Sequence, residues 1–315
     1  MPQNRAPSTP YDRPHMNEYH VADRARRRRY AQVDVFTSRA GYGNPVAVVF
    51  DADDLDTTAM QRFAHWTNLS ETTFVLAPTR AGVDFRLRIF TPRQELPFAG
   101  HPTVGTVHAV LDARADLAAR ESLVLECAAG LLPVRIEHDG ARRIFVQAPA
   151  ARFEPPSADL REQCEQALGA SLPVEPVPRL VDVGARWLVV ACTDGAAVRA
   201  LRPDLARIAE LTQAHHDVVG LCVFGRDHGD ADLAVRAFCP ADGIPEDPVT
   251  GSANAAIAAF LREAGLLGSI GTRWRASQGR EIGRDGIVEV VVDAASGTIG
   301  IGGRCVGCID GTVTL

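Results

Sequence analysis

One stretch of this chain occurs twice, about 148 residues apart. Residues 88–92 (RIFTP) recur as 236–240 (RAFCP), and residues 33–35 (VDV) recur as 181–183. After each copy of the first segment comes a glycine turn and then an apolar, helix-like stretch. Because the matches keep one order and nearly one offset, they predict two lobes of similar fold and not a solenoid of short units.

The repeat predicts how the chain is organised. We expect a disordered, arginine-rich leader over residues 1–30, an N-terminal lobe over 31–150 and a C-terminal lobe over 151–315. The last strand is a candidate to return to the first lobe. A segment rich in proline and alanine, residues 150–156, is the predicted junction between the lobes.

Each lobe is predicted to combine strands with one long helix, which makes the fold class α+β. Apolar runs predict strands in both lobes, at 46–50, 85–90, 123–125, 188–190, 221–224 and 287–292. The long helices are predicted at 103–117 and 253–267. A shorter helix, capped by Asp56 or Thr57, is expected to end near Asn68, with Met60, Phe63 and Ala64 on one face.

The composition excludes several kinds of chemistry. All 33 basic residues are arginine, so the chain has no lysine for a Schiff base or for a Walker-type phosphate loop. The formal net charge of -6 argues against general nucleic-acid binding. No apolar run is long enough to span a membrane. From the charge we therefore expect no nucleic-acid partner, and from the apolar pattern no membrane partner.

The leader and the cysteines carry weaker signals. Arginines 26–29 are an anion or nucleic-acid contact in one interpretation and part of a solvated, disordered leader in the other, which we prefer. Seven widely spaced cysteines fit reduced thiols in a cytoplasm. Cys305 and Cys308 form a lone C-x-x-C without a second pair of ligands, so we predict no metal site.

Both long helices begin at a glycine turn. Gly100 precedes one helix, and Gly251 with Ser252 precedes the other. Glycine lets a ligand approach the backbone, and the free N–H groups of a helix start bind carboxylate or phosphate. For each glycine alone, an ordinary turn is the preferred explanation. Because the feature is duplicated, we favour a site for a small carboxylate between the lobes.

Three residues near these turns are acid–base candidates. Glu71 lies between small hydroxyl residues at the start of an apolar strand, where burial would raise its pKa and suit it to proton transfer. His101 lies at a helix N-terminus, where the dipole favours a neutral imidazole. Asp247 lies on an Asp-Pro turn. The plainer alternatives are a capping or surface glutamate, an ordinary polar histidine and turn chemistry. The 148-residue offset maps Glu71 onto Val219, so only one lobe has the glutamate.

At these residues the sequence resembles the PhzF family of phenazine biosynthesis-like isomerases, which have the diaminopimelate epimerase fold. The matching segments extend from about residue 33 to the C-terminus. They are 43–48 (GNPVAV), 68–74 (NLSETTF), 88–92 (RIFTP), 95–102 (ELPFAGHP), 246–253 (EDPVTGSA) and 278–284 (QGREIGR).

The resemblance implies two pseudo-symmetric lobes, each a mixed sheet wrapped around a central helix, with the active site between them. It implies no metal, no cofactor and a homodimer with one site per subunit. Glu71 falls on the family's catalytic glutamate, with His101 and Asp247 on assisting positions. Ser70, Gly100, Gly251 and Ser252 fall on substrate-binding positions. Diaminopimelate epimerase uses a cysteine at each helix start, and neither start has one here, so the resemblance implies one-base proton transfer.

The leading hypothesis is therefore a cofactor-free isomerase that moves a proton between carbons of a small cyclic carboxylate. Trans-2,3-dihydro-3-hydroxyanthranilate, the substrate of the best-known family reaction, is one candidate. The alternative is a non-catalytic protein of the same fold that binds a small acid. A third reading, nucleic-acid association through the arginine run, is weaker.

Overall fold

The computed structural model describes residues 26–155, 157 and 159–315, and it shows two halves with the same order of strands. The first half contains the strands β1 (Arg27–Val35), β2 (Asn44–Val49), β3 (Glu71–Leu76), β4 (Phe85–Phe90), β5 (Glu95–Leu96), β6 (Ser122–Cys127), β7 (Gly130–Glu137), β8 (Arg143–Gln147) and β9 (Arg152–Phe153). Its helices are α1 (Thr57–Thr67) and α2 (Gly100–Ala113).

The second half repeats this order with extra helices. Its strands are β10 (Arg179–Asp182), β11 (Arg186–Ala191), β12 (Val218–Arg226), β13 (Leu233–Cys239), β14 (Ile244–Asp247), β15 (Arg273–Gln278), β16 (Gly286–Val292), β17 (Ile299–Gly303) and β18 (Cys305–Thr314). Its helices are α3 (Leu160–Leu168), α4 (Gly195–Ala200), α5 (Leu205–Gln213), α6 (Gly251–Glu263) and α7 (Leu267–Ile270). Short 3-10 turns occupy Pro240–Asp242 and Arg280–Ile282.

Strand pairing confirms the duplication inferred from the repeat. In the first half β2 is parallel to β3, β3 is antiparallel to β4, and β4 is parallel to β6. In the second half β11 is parallel to β12, β12 is antiparallel to β13, and β13 is parallel to β15. Each half is thus the same mixed sheet, as predicted.

The halves exchange their last strands. β9, the last strand of the first half, pairs with β10, the first strand of the second half. β18 pairs with β1 along almost its whole length, and β8 pairs with β17. These three antiparallel contacts join the halves through backbone hydrogen bonds.

The predicted leader is too long at its C-terminal end. Residues 27–30 belong to β1 and pair with residues 311–314 of β18. Arg28 is 3% exposed, so its side chain is buried in the fold. Its guanidinium group forms an ion pair with Asp54 at 2.7 Å. Residues 1–25 of the predicted leader lie outside the described residues.

Each sheet wraps around its long helix, because α2 and α6 are apolar on every side. The two helices begin two to three residues earlier and end four residues earlier than predicted. Gly105 explains how closely α2 approaches the sheet, since a Cβ there would lie 2.4 Å from a methyl group of Val46. The shorter helix α1 is confirmed, with Asp56 as its N-cap and Met60, Phe63 and Ala64 buried.

A bidentate arginine–glutamate pair holds the hairpin that leads into each long helix. In the first half Arg88 donates to both oxygens of Glu95, at 2.7 and 2.6 Å. In the second half Arg236 donates to both oxygens of Glu246, at 3.0 and 2.8 Å. The first pair is 23% and 31% exposed, the second only 7% and 8%.

The two pairs offer a matched test of burial. Arg236→Met should cost about 3–5 kcal/mol of unfolding free energy, because it leaves the Glu246 carboxylate buried without a partner. Arg88→Met removes the equivalent pair near solvent and should cost about 1 kcal/mol or less. Urea denaturation of both variants measures the difference. Equal losses of unfolding free energy in the two variants would contradict the expectation that breaking the buried pair destabilises the protein more.

Candidate active site

The three predicted acid–base residues come together at the starts of the long helices. Glu71 is the first residue of β3, His101 the second residue of α2 and Asp247 the last residue of β14. His101 Nδ1 lies 3.2 Å from Glu71 Oε2, with the side chains 7% and 17% exposed. Asp247 joins them from the second half, and its charge acts on both.

The charges within this trio differ from our expectation. Burial alone would raise the pKa of Glu71, but the charge of His101 and the hydrogen bonds from His101 and Ser70 together outweigh it and hold that pKa below its ordinary value. Burial alone would likewise lower the pKa of His101, but Glu71 and then Asp247 hold it above its ordinary value. The predictions of a raised Glu71 pKa and a neutral His101 are therefore wrong, because each group is buried beside an opposite charge.

The carboxyl group with a raised pKa is that of Asp247. Burial raises its pKa to about 6, and the negative charge of Glu71 adds to the effect. Hydrogen bonds from Thr250 and Asn44 act in the opposite direction. Near neutral pH the trio thus holds an ion pair, Glu71 with His101, beside a carboxyl group close to its own titration.

Asp247 is surrounded by polar side chains that the sequence did not single out. Asn44 Nδ2 donates to Asp247 Oδ1 at 3.2 Å, and the Thr250 hydroxyl donates to Oδ2. Gln278 Nε2 donates to the Asp247 carbonyl at 3.1 Å and also contacts Thr250. All three residues lie in segments that resemble the PhzF family. That position was the one feature of the sequence that could have indicated a role for them at the site.

The predicted substrate-binding residues border the same site. Ser70 Oγ donates to Asn44 Oδ1 at 3.2 Å, and Ser252 Oγ accepts a hydrogen bond from Trp187 Nε1 at 3.1 Å. Gly100 and Gly251 are the first residues of α2 and α6. Ser70 thus contacts a partner of Asp247, Gly100 and Gly251 are the chain neighbours of His101 and Thr250, and the hydrogen bond of Ser252 goes to Trp187 instead.

The starts of α2 and α6 have N–H groups available for a ligand. Neither helix has a side-chain cap, whereas an aspartate caps each of α1, α4 and α5. First-turn N–H groups without a cap lack an intrahelical partner and attract anions. Glu71 Oε2 is also buried without a well-aligned hydrogen-bond donor among the described residues. Both observations suit a bound carboxylate with polar substituents.

Gly100 is a glycine that the folded chain does not itself require. A Cβ at this position would meet only Val146 Cγ2, at 3.7 Å, which is ordinary van der Waals contact. We therefore expect Gly100→Ala to fold with an unchanged melting temperature, yet to bind a small carboxylate such as benzoate roughly tenfold more weakly, because the methyl group blocks the helix start. Thermal unfolding and titration calorimetry measure the two effects.

Gly105 in the same helix supplies the control. There a Cβ would press on Val46 and Val35, so Gly105→Ala should lose about 1–3 kcal/mol of stability through overpacking. Benzoate affinity that stays at the wild-type value in Gly100→Ala would remove this glycine from the binding site.

Two cavities, of about 460 and 430 Å³, lie away from the trio. One is lined by Phe50, Val110 and Arg114 near the end of α2, and the other by Arg202, Phe238 and Pro245. Neither lining includes Glu71, His101 or Asp247.

Two further features concern the described part of the chain alone. No cluster of three histidine, cysteine or acidic side chains there has the arrangement of a metal site. Its helices all fall short of the length and hydropathy needed to traverse a bilayer. Cys305 and Cys308 are free thiols on β18.

The fold is epimerase-like, and it brings the three candidate acid–base residues together where the start of β3, the start of α2 and the end of β14 meet. A family model described as phenazine biosynthesis-like protein, PhzC-PhzF, matches residues 33–311. The chain belongs to this family and is an isomerase.

Relatives match over most of the chain. Trans-2,3-dihydro-3-hydroxyanthranilate isomerase from Pseudomonas chlororaphis is 38% identical over 261 residues, or 82% of this chain and 88% of that protein. The Schizosaccharomyces pombe protein named antisense-enhancing sequence 1 is 36% identical over 90% of this chain and 97% of its own length.

Solved structures confirm the predicted fold class. A PhzF-family phenazine biosynthesis protein from Bacillus anthracis superimposes with a TM-score of 0.79 at 27% identity, covering 92% of this chain and 100% of that one. A hydroxyproline epimerase from Agrobacterium vitis has a TM-score of 0.64 at 15% identity, with 92% and 93% covered. The second likeness concerns the fold alone and extends it to the epimerases.

Proposed function

We propose that this isomerase moves a proton between two carbons of a small cyclic carboxylate, with Glu71 as the group that takes and returns it. The observation that carries the proposal is the ionised Glu71–His101 pair next to two uncapped helix starts. The surroundings of Glu71 lower its pKa, so the carboxylate is ionised at neutral pH and has a free position for a proton.

The proposed reaction has two proton transfers. In the first, a substrate C–H bond breaks and an O–H bond forms on Glu71, which leaves a delocalised anion. The imidazolium of His101 and the N–H groups of the helix starts stabilise that charge. In the second, the O–H bond breaks and the proton adds to another carbon of the same molecule. The product is an isomer of the substrate, and Glu71 is ionised again.

Asymmetry between the halves supports a single base. The repeat places Val219 where the first half has Glu71, and the two helix starts hold no thiol. Cys239, which lies within the RAFCP copy of the repeat, is buried, and burial raises its pKa well above the ordinary value. A two-thiol racemisation therefore lacks its residues here, and we assign both transfers to one carboxylate.

The names of several relatives suggest the substrate. Trans-2,3-dihydro-3-hydroxyanthranilate combines a carboxylate, which the helix starts suit, with a ring whose carbons can exchange a proton. The test is incubation of the protein with this compound in deuterium oxide, followed by NMR. We expect an isomeric product, with solvent deuterium at the carbon that receives the proton wherever the Glu71 O–H exchanges with solvent before the second transfer.

Three other outcomes of this experiment would each change the proposal in a different way. Deuterium that enters a different cyclic carboxylate, without conversion of this compound, would reject this substrate and keep the reaction class. Binding of carboxylates without any exchange would favour the alternative, a non-catalytic small-acid binding protein. Absence of both binding and exchange would overturn the proposal.

We further propose a homodimer with one site per subunit, acting in the cytoplasm, where the seven cysteines would stay reduced. The family resemblance supports the dimer. Sedimentation equilibrium of the full chain tests it, and a monomer at micromolar concentration would reject it.

A further inference from the structure

Asn44 connects the acid–base groups of the two halves. It is the first residue of β2 and is 3% exposed. Its amide oxygen accepts a hydrogen bond from Ser70 Oγ at 3.2 Å, beside Glu71. Its amide nitrogen donates to Asp247 Oδ1 at 3.2 Å and to the Val249 carbonyl at 2.9 Å. One neutral side chain thus forms a hydrogen bond with Asp247 and another with Ser70, the residue next to Glu71.

The loop before Asn44 is held firmly against the second half. Arg284 donates to the Gly43 carbonyl at 2.9 Å, and the Asp285 N–H donates to the Tyr42 carbonyl at 2.9 Å. Gly43 itself packs so tightly that a Cβ would lie 2.4 Å from the Val35 carbonyl oxygen. Asn44 is therefore fixed in place before any substrate binds.

An amide suits this position because it donates and accepts without carrying a charge. Asp247 receives one hydrogen bond from Asn44 and another from Thr250, and both stabilise its ionised form against the effect of burial. The Ser70 hydroxyl has one proton, which Asn44 Oδ1 and the Glu71 carboxylate can share. A change of charge on Glu71 can therefore reach Asp247 through three hydrogen bonds, by way of Ser70 and Asn44.

We propose that Asn44 is a positioning residue that links Glu71 to Asp247 across the two halves and keeps Asp247 available as a hydrogen-bond acceptor. The inference rests on the proposed function, in which these carboxyl groups handle charge during proton transfer. It assigns no contact between Asn44 and the substrate.

A titration without substrate tests this role. The groups that act on Asp247 are Glu71, His101, Asn44 and Thr250, with the Cys239 thiol also close by. In Asn44→Leu, Asp247 loses a donor to its charged form, so its pKa should rise by about one pH unit. The pKa of His101 should fall in turn, because Asp247 is then protonated over more of the pH range.

NMR of protein labelled at histidine and aspartate side chains follows both groups. Thr212→Val is the matched control, since Thr212 is a buried polar residue, 1% exposed, whose hydrogen bonds stay within α5. It should leave both titrations unchanged. If Asn44→Leu does not fold, Asn44→Asp keeps the shape, and its like charge should raise the Asp247 pKa still further.

A folded Asn44 variant with wild-type titrations of Asp247 and His101 would overturn the proposal. This result is independent of turnover, so it is distinguishable from a failure to convert trans-2,3-dihydro-3-hydroxyanthranilate. Where that compound is converted, Asn44→Leu should lower kcat about tenfold and leave KM within about twofold, because the side chain does not touch the substrate.

Discussion

Glu71→Gln should slow both substrate conversion and deuterium uptake by about a thousandfold, and leave the fold intact. Removal of a positioned acid–base group typically costs between about 100-fold and 10,000-fold in rate. Glutamine keeps the size of the side chain and can still contact His101, but it cannot accept a proton from carbon. The rate is measured by NMR in deuterium oxide.

Two further measurements make this result specific. Glu121→Gln changes an exposed glutamate outside the site and should keep the wild-type rate. In Glu71→Gln the His101 pKa should fall, because the largest influence that raises it is the charge of Glu71. A variant that exchanges deuterium at the wild-type rate would show that another residue moves the proton.

Asp247→Asn should make the protein more stable relative to the wild type as the pH rises. The folded-state pKa of Asp247 is about 6, above its ordinary value of 3.8. Folding therefore favours the protonated form, and the stability that it contributes is lost as pH rises through about 6. Between about pH 4 and pH 8 the difference in unfolding free energy should grow by roughly 3 kcal/mol in favour of the variant.

Denaturant unfolding of both proteins across this pH range measures the effect. Asp293→Asn is a useful control, because the hydrogen bonds of Ser296 lower the pKa of this exposed carboxyl group below its ordinary value of 3.8, so its stability difference should stay nearly constant across this range and change only at lower pH. A stability difference for Asp247→Asn that does not change with pH would show that Asp247 titrates normally. The expected gain in stability comes with a loss of activity, the usual exchange at a functional site.

The sequence alone predicted the fold well, because the main observation was a repeat within the chain itself. The repeat requires two similar halves, and the RIFTP and RAFCP copies both end at the hairpin that precedes a long helix. Asp56 capped α1 as expected, since a cap acts within one turn of its own helix. Features that depend on residues close in sequence were thus accessible.

Features that depend on contacts between distant segments were not. The ionisation of Glu71 and His101 follows from a pairing between β3 and α2, which sequence position does not reveal. Asn44 and Asp247 are 203 residues apart and come into contact because the halves meet there. The leader was predicted to extend to residue 30, because the strand that pairs with residues 27–30 lies at the other end of the chain and nothing close to them in sequence indicates a strand.

The exchange of last strands has a consequence for how the two halves depend on each other. A single half would keep its own mixed sheet but leave its first strand without the neighbour that the other half supplies, with open backbone groups along that edge. Two identical halves could satisfy each other in the manner of a domain-swapped dimer. The duplicated chain carries this reciprocal arrangement within one polypeptide, and Glu71, the base that we propose, is present on one side only, with Val219 at the equivalent position.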